Sequence, residues 1–331
     1  MLDRLHEYVR CFADPQRWAI ASVVSVTGSS PVPVGTSMAV SDDLEIIGAL
    51  SAGCAETAAA LSAQQAIERD EAVVEVFSRD GERAGSVNLT CGGAMEVLIL
   101  PLSRMQDLER ARQLTHQDRR HRASLSIDVA ELAATVRFAR SAAPTLILTG
   151  VHDFSQQLAE AAVRAGWWTH VVDIRREFAI PERCPHGAQL HVGHPPFVVR
   201  DLISAADSPF TAVCVMTHHP DLDVPVLSEA LRSPGVSFVG AMGSRFAAAR
   251  RDMELAELGH PAASRGRVRS PLGLDIGSQS PAESAISMFA EILGAKNDAS
   301  DHLGEALSAG SGPVDRRRPR HRSILQPMAA H

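Results

Sequence analysis

Residues 145–175 read TLILTGVHDFSQQLAEAAVRAGWWTHVVDIR, and the fold of the chain turns on them. The apolar run TLILTG (145–150) reads as a buried strand stopped by a glycine. SQQLAEAAVRAG (155–166) follows with helical character and its own glycine stop. THVVDIR (169–175) returns to β-branched residues and closes on Asp173. Strand, helix and strand at this spacing make a βαβ unit. Further strands are predicted at 188–193, 211–216 and 236–242, with helices at about 223–232 and 245–258 between and after them. Such alternation calls for a doubly wound parallel sheet. A dinucleotide fold wants G-x-G-x-x-G at the first turn, for a tight bend, close pyrophosphate approach and close helix packing. This chain has GVHDFS. Gly150 is present, but His152 and Ser155 hold the second and third glycine positions, and a histidine side chain crowds a pyrophosphate. Asp173 stands about 20 residues on, where such folds bind a ribose hydroxyl. The fold signal is therefore strong and the NAD(P) signal weak.

The 331 residues exceed what one core usually holds, so two domains with additions are expected. Net charge is −7, from 32 basic and 39 acidic residues, and the basic ones are almost all arginine. That balance argues against nucleic acid as a partner while leaving room for local anion sites. No long uninterrupted apolar stretch exists to span a membrane, and the amphipathic start MLDRLHEYVRCFADP is not a secretory leader. Five cysteines at irregular spacing, without a CxxC pair, make no disulfide framework and point to free thiols in a reducing cytoplasm.

Upstream, WAIASVVSV (18–26) is a strand, followed by the turn-rich TGSSPVPVGTSMAV (27–40), a short strand near 36–41 and a third at EIIGAL (45–50). A helix is predicted over 54–70 and two more strands at 72–78 and 94–102. This gives an N-terminal α+β domain over 1–103. Residues 104–143, charged and arginine-rich, read as a helical connector. The Rossmann-like domain then occupies 144–295, and a basic tail over 296–331 (with DRRRPRHRS at 315–323) reads as disordered. SPAESAISMFAEILG (280–294) carries a helix start, with Ser280 as N-cap, Pro281 at the first helical position and Glu283 completing a capping box.

Several constellations offer chemistry. In SAGCAET (51–57), Gly53 precedes Cys54 at the predicted first turn of a helix, where backbone N–H groups favour a thiolate. In TCGGAM (90–95), Gly92 and Gly93 beside Cys91 let the backbone approach a ligand. Buried packing, the usual fate of a free cysteine, is the other reading of both; Cys214, mid-strand, reads as core. Ser29, Ser30, Thr36 and Ser37 offer hydroxyls to a phosphate or a pterin edge, or simply make a proline-rich turn. THHPDLD (217–223) places His218, His219, Asp221 and Asp223 at a strand's C-terminal end, for protons, for a metal, or as helix caps. In GAMGSR (240–245), Gly243, Ser244 and Arg245 form a candidate anion site or a plain cap.

Taken together, TGSSPVPVGTSMAV with GALSAGCAE, TCGGAMEVLILP, VMTHHPDLD with FVGAMGSR, and SPLGLDIGSQSPAESAISMFAEIL resemble the XdhC/CoxI family. These are accessory proteins of xanthine dehydrogenase and related molybdenum hydroxylases. The resemblance covers most of 15–295 in order. It implies a chaperone that transiently binds molybdenum cofactor and helps insert it into an apo molybdenum hydroxylase such as xanthine dehydrogenase, with a cysteine desulfurase as a further partner and a homodimer as the expected assembly. It implies no turnover chemistry of the chain's own, and it points to Cys54 as the thiol meeting cofactor and molybdenum, with Cys91 second. Two positions depart from the family pattern. Val32 stands where an arginine is usual, and Ala52 where a glycine is usual. Two other readings stay open: an NAD(P)-dependent oxidoreductase using Gly150, Asp173 and His218 or His219, and a maturation scaffold that holds no cofactor.

Overall fold

The computed structural model describes the chain except for residues 29–31, 52, 54, 79–92, 119, 131–132, 298–320 and 328–331. It divides into two compact units, one of residues 1–141 with the C-terminal stretch from 307, the other of residues 142–306.

In the first unit a 3-10 turn over Leu2–Tyr8 runs into α1 (Val9–Ala13). The strands β1 (Trp18–Thr27), β2 (Ser37–Ser41), β3 (Ile46–Gly48), β4 (Val73–Phe77) and β5 (Ala94–Pro101) form an antiparallel sheet in the order β3-β2-β1-β5-β4. Helix α2 (Glu56–Arg69) buries Ala59, Ala60, Ala63 and Ala66 on a core with Ala19, Val23, Val97 and Ile99. Its buried stripe is all alanine, so no large side chain holds helix and sheet apart. The other core collects Leu5, Tyr8 and Phe12 with Ile20, Val24 and Leu98. β1 is buried on both faces, with Ser22 and Ser25 among its buried residues.

The helical reading of 104–143 needs correction. Among the described residues there, only α3 (Leu108–Thr115) is a regular α-helix; β6 (Ala123–Val129) and β7 (Ala134–Arg140) pair as an antiparallel hairpin. The arginines mask a period of two: Leu125, Ile127 and Val129 are buried and alternate with exposed Ser124, Ser126 and Asp128. The tail is corrected too, because β14 (His321–Ser323) pairs with β1 and β15 (Leu325–Pro327) with β7. Ile324 and Leu325 pack on the core of Leu5, Tyr8 and Phe12, and the amide of Ile324 donates to Val24 O at 2.9 Å.

The second unit contains β8 (Thr145–Thr149), α4 (Asp153–Arg164), β9 (Trp168–Asp173), β10 (Gln189–Val192), α5 (Pro195–Ala205) and β11 (Thr211–Val215). It continues with α6 (Pro220–Arg232), β12 (Val236–Ala241), α7 (Arg245–Glu257), α8 (Ala262–Arg265), β13 (Val268–Arg269) and α9 (Pro281–Lys296). Every strand pairing is parallel, in the order β10-β9-β8-β11-β12-β13. Numbered within the unit this is 3-2-1-4-5-6, the Rossmann order, whose direction of winding reverses between β8 and β11. Leu146 and Leu148 pack on one face with Leu158, Met288 and Ile292; Ile147 packs on the other with Val199, Leu227 and Leu231. Ser280 caps α9 as expected, accepting from Glu283 N at 3.2 Å, but the Glu283 carboxylate takes the amide of Gln279 in place of Ser280's own. Among the described residues no helix is long and apolar enough to cross a membrane.

Gly150 makes the turn that opens this unit's ligand face. Its φ is +93°, its amide donates to Val172 O at 2.8 Å, and a Cβ there would stand 2.4 Å from Thr217 Cγ2. Both the left-handed backbone and the missing side chain are required. Gly150→Ala is expected to cost on the order of 1–3 kcal/mol, seen as a lower urea midpoint at an unchanged slope.

Candidate functional site

The switch point between β8 and β11 opens on a cavity of about 910 Å3. Thr149, Gly150 and His152 line it from the first turn, Asp173, Arg175, Phe178 and Arg183 from the segment after β9, and Met216, His218 and His219 from the end of β11. This is where open α/β sheets place ligands, and its size falls at the upper end of ordinary small-molecule pockets. Thr149 deserves note for chemistry alone: the residue is 2% exposed and lines the cavity, yet its Oγ1 has no hydrogen-bond partner among the described residues. A buried hydroxyl left so is costly unless something else meets it.

The polar groups that a dinucleotide would need are already engaged. The Asp173 carboxylate, 3% exposed, accepts from Val151 N at 2.8 Å, from Arg175 N at 2.9 Å, and from Arg175 Nε and Nη2 at 3.0 and 2.7 Å. Burial pushes its pKa up, but the Arg175 guanidinium and the two amides more than reverse this and hold it below the usual carboxylate range. Gly150 and Asp173 are thus brought to one cavity as the sequence predicts, while the acceptor expected for a ribose is saturated by the chain itself. His152 is half-buried and its Nε2 lies 2.7 Å from Met216 O. A carbonyl can only accept, so Nε2 carries the proton. Burial lowers the pKa of this imidazole, with Met216 O opposing. The His152 amide donates to Ser155 Oγ at 3.0 Å, which explains Ser155 at a glycine position.

The loop THHPDLD divides between surface and interior. His218 and His219 are exposed in the cavity lining, and Asp223 is buried, pairing with Arg251 at 2.8 Å and accepting from Thr217 Oγ1. Asp223 is therefore neither a metal ligand nor a proton carrier, and among the described residues no cluster of three or more metal-ligating side chains exists. Gly243, at φ +140°, Ser244 and Arg245 lie outside the cavity lining. Ser244 is a helix cap, accepting from Ala247 N at 3.2 Å.

In the first unit, Cys54, Cys91, Gly92, Ser29 and Ser30 lie outside the described residues. Their neighbours correct two expectations. Helix α2 begins at Glu56 with Ala55 as its cap, so the first turn starts after Cys54. The amides proposed for a ligand are taken: Ser51 N donates to Glu56 Oε1 at 2.7 Å, and Gly53 N and Ala55 N each reach Ser51 Oγ at 3.3 Å. Gly53, at φ +113°, is exposed with open space beside it, and Gly93 is buried. Thr36 Oγ1 closes a turn on Pro33 O at 2.7 Å, and buried Ser37 meets Tyr8 Oη, so neither hydroxyl awaits a ligand. Cys11 and Cys214 are core thiols; burial pushes Cys11 up to about 12 and Cys214 higher still.

Three imidazoles of the second unit, His152, His191 and His260, have pKa values lowered first by burial. Folded, they resist a proton that the unfolded chain accepts near its ordinary value of about 6.5. Stability should be complete above that pH and fall as pH drops through it, because the unfolded state then binds more protons. Denaturation midpoints of this unit are expected to fall steadily from pH 7 to pH 5. A flat profile would show that these rings gain their protons without cost.

Residues 11–78 match the profile of the XdhC and CoxI family, and residues 146–292 that of the XdhC Rossmann domain. The chain is 27% identical over 300 residues to the Escherichia coli (strain K12) protein YqeB, named uncharacterized, a match spanning 89% of this chain and 46% of that one. It is 24% identical over 289 residues to the molybdenum cofactor insertion chaperone PaoD of the same organism, spanning 82% and 81%. The chain thus covers less than half the length of the first of these relatives. Among solved structures, a Bacillus halodurans protein described as a xanthine dehydrogenase shares the fold at a TM-score of 0.68 and 21% identity, over 91% of this chain and 98% of that one.

Proposed function

The chain belongs to the XdhC and CoxI family, and from that premise we propose that it is an accessory protein of molybdenum hydroxylase maturation, which holds molybdenum cofactor and delivers it to an apo-enzyme of the xanthine dehydrogenase type. The observation that carries this reading over a nicotinamide oxidoreductase is the switch-point cavity. It sits where a Rossmann fold binds its ligand, but Asp173 is saturated and His152 occupies the pyrophosphate approach.

The cavity suits a pterin on its own chemistry. Phe154, Val172, Met216, Leu222 and Met242 supply apolar wall, and Arg175 and Arg183 a basic edge. When bound, the cofactor would bring the metal and its dithiolene; the chain's part is to bind it, orient it and keep water away until transfer. Cys54, with Cys91 second, is proposed on the family resemblance alone as a soft sulfur donor to the molybdenum, a contact separate from the second unit's cavity.

Protein produced with an active molybdenum pathway should carry pterin, seen by fluorescence after oxidation, and molybdenum, seen by elemental analysis. It should also activate a cofactor-free xanthine-dehydrogenase-type enzyme on mixing. Pterin-free protein that binds NAD(H) tightly and turns over would favour the oxidoreductase; client binding without cofactor would favour a scaffold.

A further inference from the structure

Strand β1 outruns its neighbour on one edge. β5 takes the other edge as far as Thr27, but β2 pairs only with Trp18 to Ser22. The remainder of that edge goes to the last strands of the chain. Ser25, Val26 and Thr27 register with Ser323, Arg322 and His321 of β14. Directly after, Leu325, Gln326 and Pro327 of β15 register with Val136, Thr135 and Ala134 of β7. Ile324 stands at the joint and spends both backbone groups there. Its amide donates to Val24 O at 2.9 Å, and its carbonyl accepts from Arg137 N at 3.1 Å. Residues 321–327 thereby close the edges of two sheets at once. Bare, those edges would present unpaired amides and carbonyls, a template for another strand.

Three observations mark these residues as a removable occupant. Each half pairs only three residues, against eight between β1 and β5. Their hold on the core is two side chains, Ile324 and Leu325, both only partly buried. The fit is also incomplete, because Arg322 Nε is buried with no hydrogen-bond partner among the described residues. A guanidinium donor so placed loses its water and gains nothing in return. Short elements with few buried contacts open locally well before the whole unit unfolds.

We propose that the edges of β1 and β7 form a peptide-binding groove, that residues 321–327 fill it as a removable arm, and that an extended segment of a partner protein displaces that arm. Recognition is by strand addition: main-chain bonds supply affinity, and the places of Ile324 and Leu325 supply selectivity. The partner segment is therefore extended and polar at first, with two adjacent aliphatic residues after. The paired stretch of β1 ends at Thr27, where TGSSPVPVG (27–35) begins, so the strands exchange next in sequence to that loop. Strand exchange needs no bound cofactor, so the cofactor content of the chain neither supports nor removes it.

The test uses the full chain and a labelled synthetic peptide of residues 320–328, RHRSILQPM. Ile324→Asp sets a carboxylate at the joint and should free the groove. Fluorescence anisotropy should show the peptide binding Ile324→Asp at least about tenfold more tightly than the parent, whose tethered arm competes at high effective concentration. The peptide with aspartate in place of its isoleucine should bind neither. The parent gives a second readout that does not depend on how Ile324→Asp folds. In hydrogen exchange, the amides of Ile324 and Arg137 should exchange at least about a hundredfold faster than those of the β1–β5 ladder. No peptide binding by folded Ile324→Asp, equal binding by parent and variant, or arm amides as slow as the β1–β5 ladder would each overturn the proposal. A parent dimer that Ile324→Asp abolishes would overturn the partner protein in favour of arm exchange between two copies.

Discussion

Asp223→Ala is expected to destabilise the second unit by about 3–5 kcal/mol, the cost of leaving one member of a buried ion pair without its partner. The domain's whole stability is of the order of 5–15 kcal/mol, so this one change would bring it near unfolding. Asp223 and Arg251 are each 1% exposed. Arg251 Nη2 donates to Asp223 Oδ2 at 2.8 Å and to Thr217 O at 3.1 Å, and Nη1 donates to Met242 O at 2.8 Å. Thr217 Oγ1 adds a further bond to the carboxylate. One guanidinium thereby fastens the chain leaving β11 to the chain leaving β12, beside the cavity that Thr217 and Met242 line. Without the carboxylate, a full positive charge would remain in the interior facing only carbonyls.

Guanidinium unfolding, followed by tryptophan emission to which Trp167 contributes, measures this. That indole is 3% exposed and packs edge-on against Phe210 and Phe289, so its emission reports the integrity of the core. Asp223→Ala combined with Arg251→Met should regain most of the loss, because an apolar replacement of a buried pair is often neutral. A shift below about 1 kcal/mol for Asp223→Ala, or no recovery in the double variant, would show that the pair does not hold these strands together.

Nothing in THHPDLD announces that pair. From sequence Asp223 is one of four polar groups at a strand end, and Arg251 sits beside Arg250 in a predicted helix with nothing to set it apart. Burial of an arginine is decided by what crosses above it, and local pattern carries no record of that. The elements themselves are legible where one period dominates. β8, α4 and β9 stand close to their predicted places because glycine stops and β-branched runs agree with the tertiary outcome. The hairpin β6–β7 is hidden because its short alternation lies among the arginine-rich flanks of 104–122, and α5 because Pro195 and Pro196 look like a loop although both fit a helix start. For the site, Gly150 and Asp173 are legible from spacing, and His152 from the broken glycine pattern. The saturation of Asp173 by Arg175, two residues on, and the basic edge of Arg183 on Phe178 depend on how a connecting segment folds back, so no motif marks them.

The same lesson governs the second large effect, the loss of cofactor from Cys54→Ser. Helix α2 starts at Glu56, and the carboxylate of that residue already takes nearby amides. The Glu56 carboxylate accepts from Ser51 N at 2.7 Å, from Ser51 Oγ at 2.7 Å and from Ala55 N at 3.2 Å. Burial pushes Glu56 up, but the Ser51 hydroxyl and the amides outweigh it and keep the carboxyl ionised to lower pH than usual. A negative charge thus already occupies the positive end of α2, and a neighbouring thiolate gains little from the dipole. What remains to Cys54 is softness. Sulfur suits a metal bound by other sulfur ligands, and an alcohol of nearly the same size does not. Cys54→Ser is therefore expected to lower the pterin and molybdenum of co-expressed protein by about tenfold, with an unchanged denaturation midpoint, and Cys91→Ser by less. Because activation by the helix is not involved, Glu56→Gln should leave the cofactor content within about twofold of the parent while removing one charge. If Cys54→Ser keeps its cofactor and Arg183→Gln loses it, retention belongs to the Rossmann domain alone and the N-terminal thiol has no part in holding the metal.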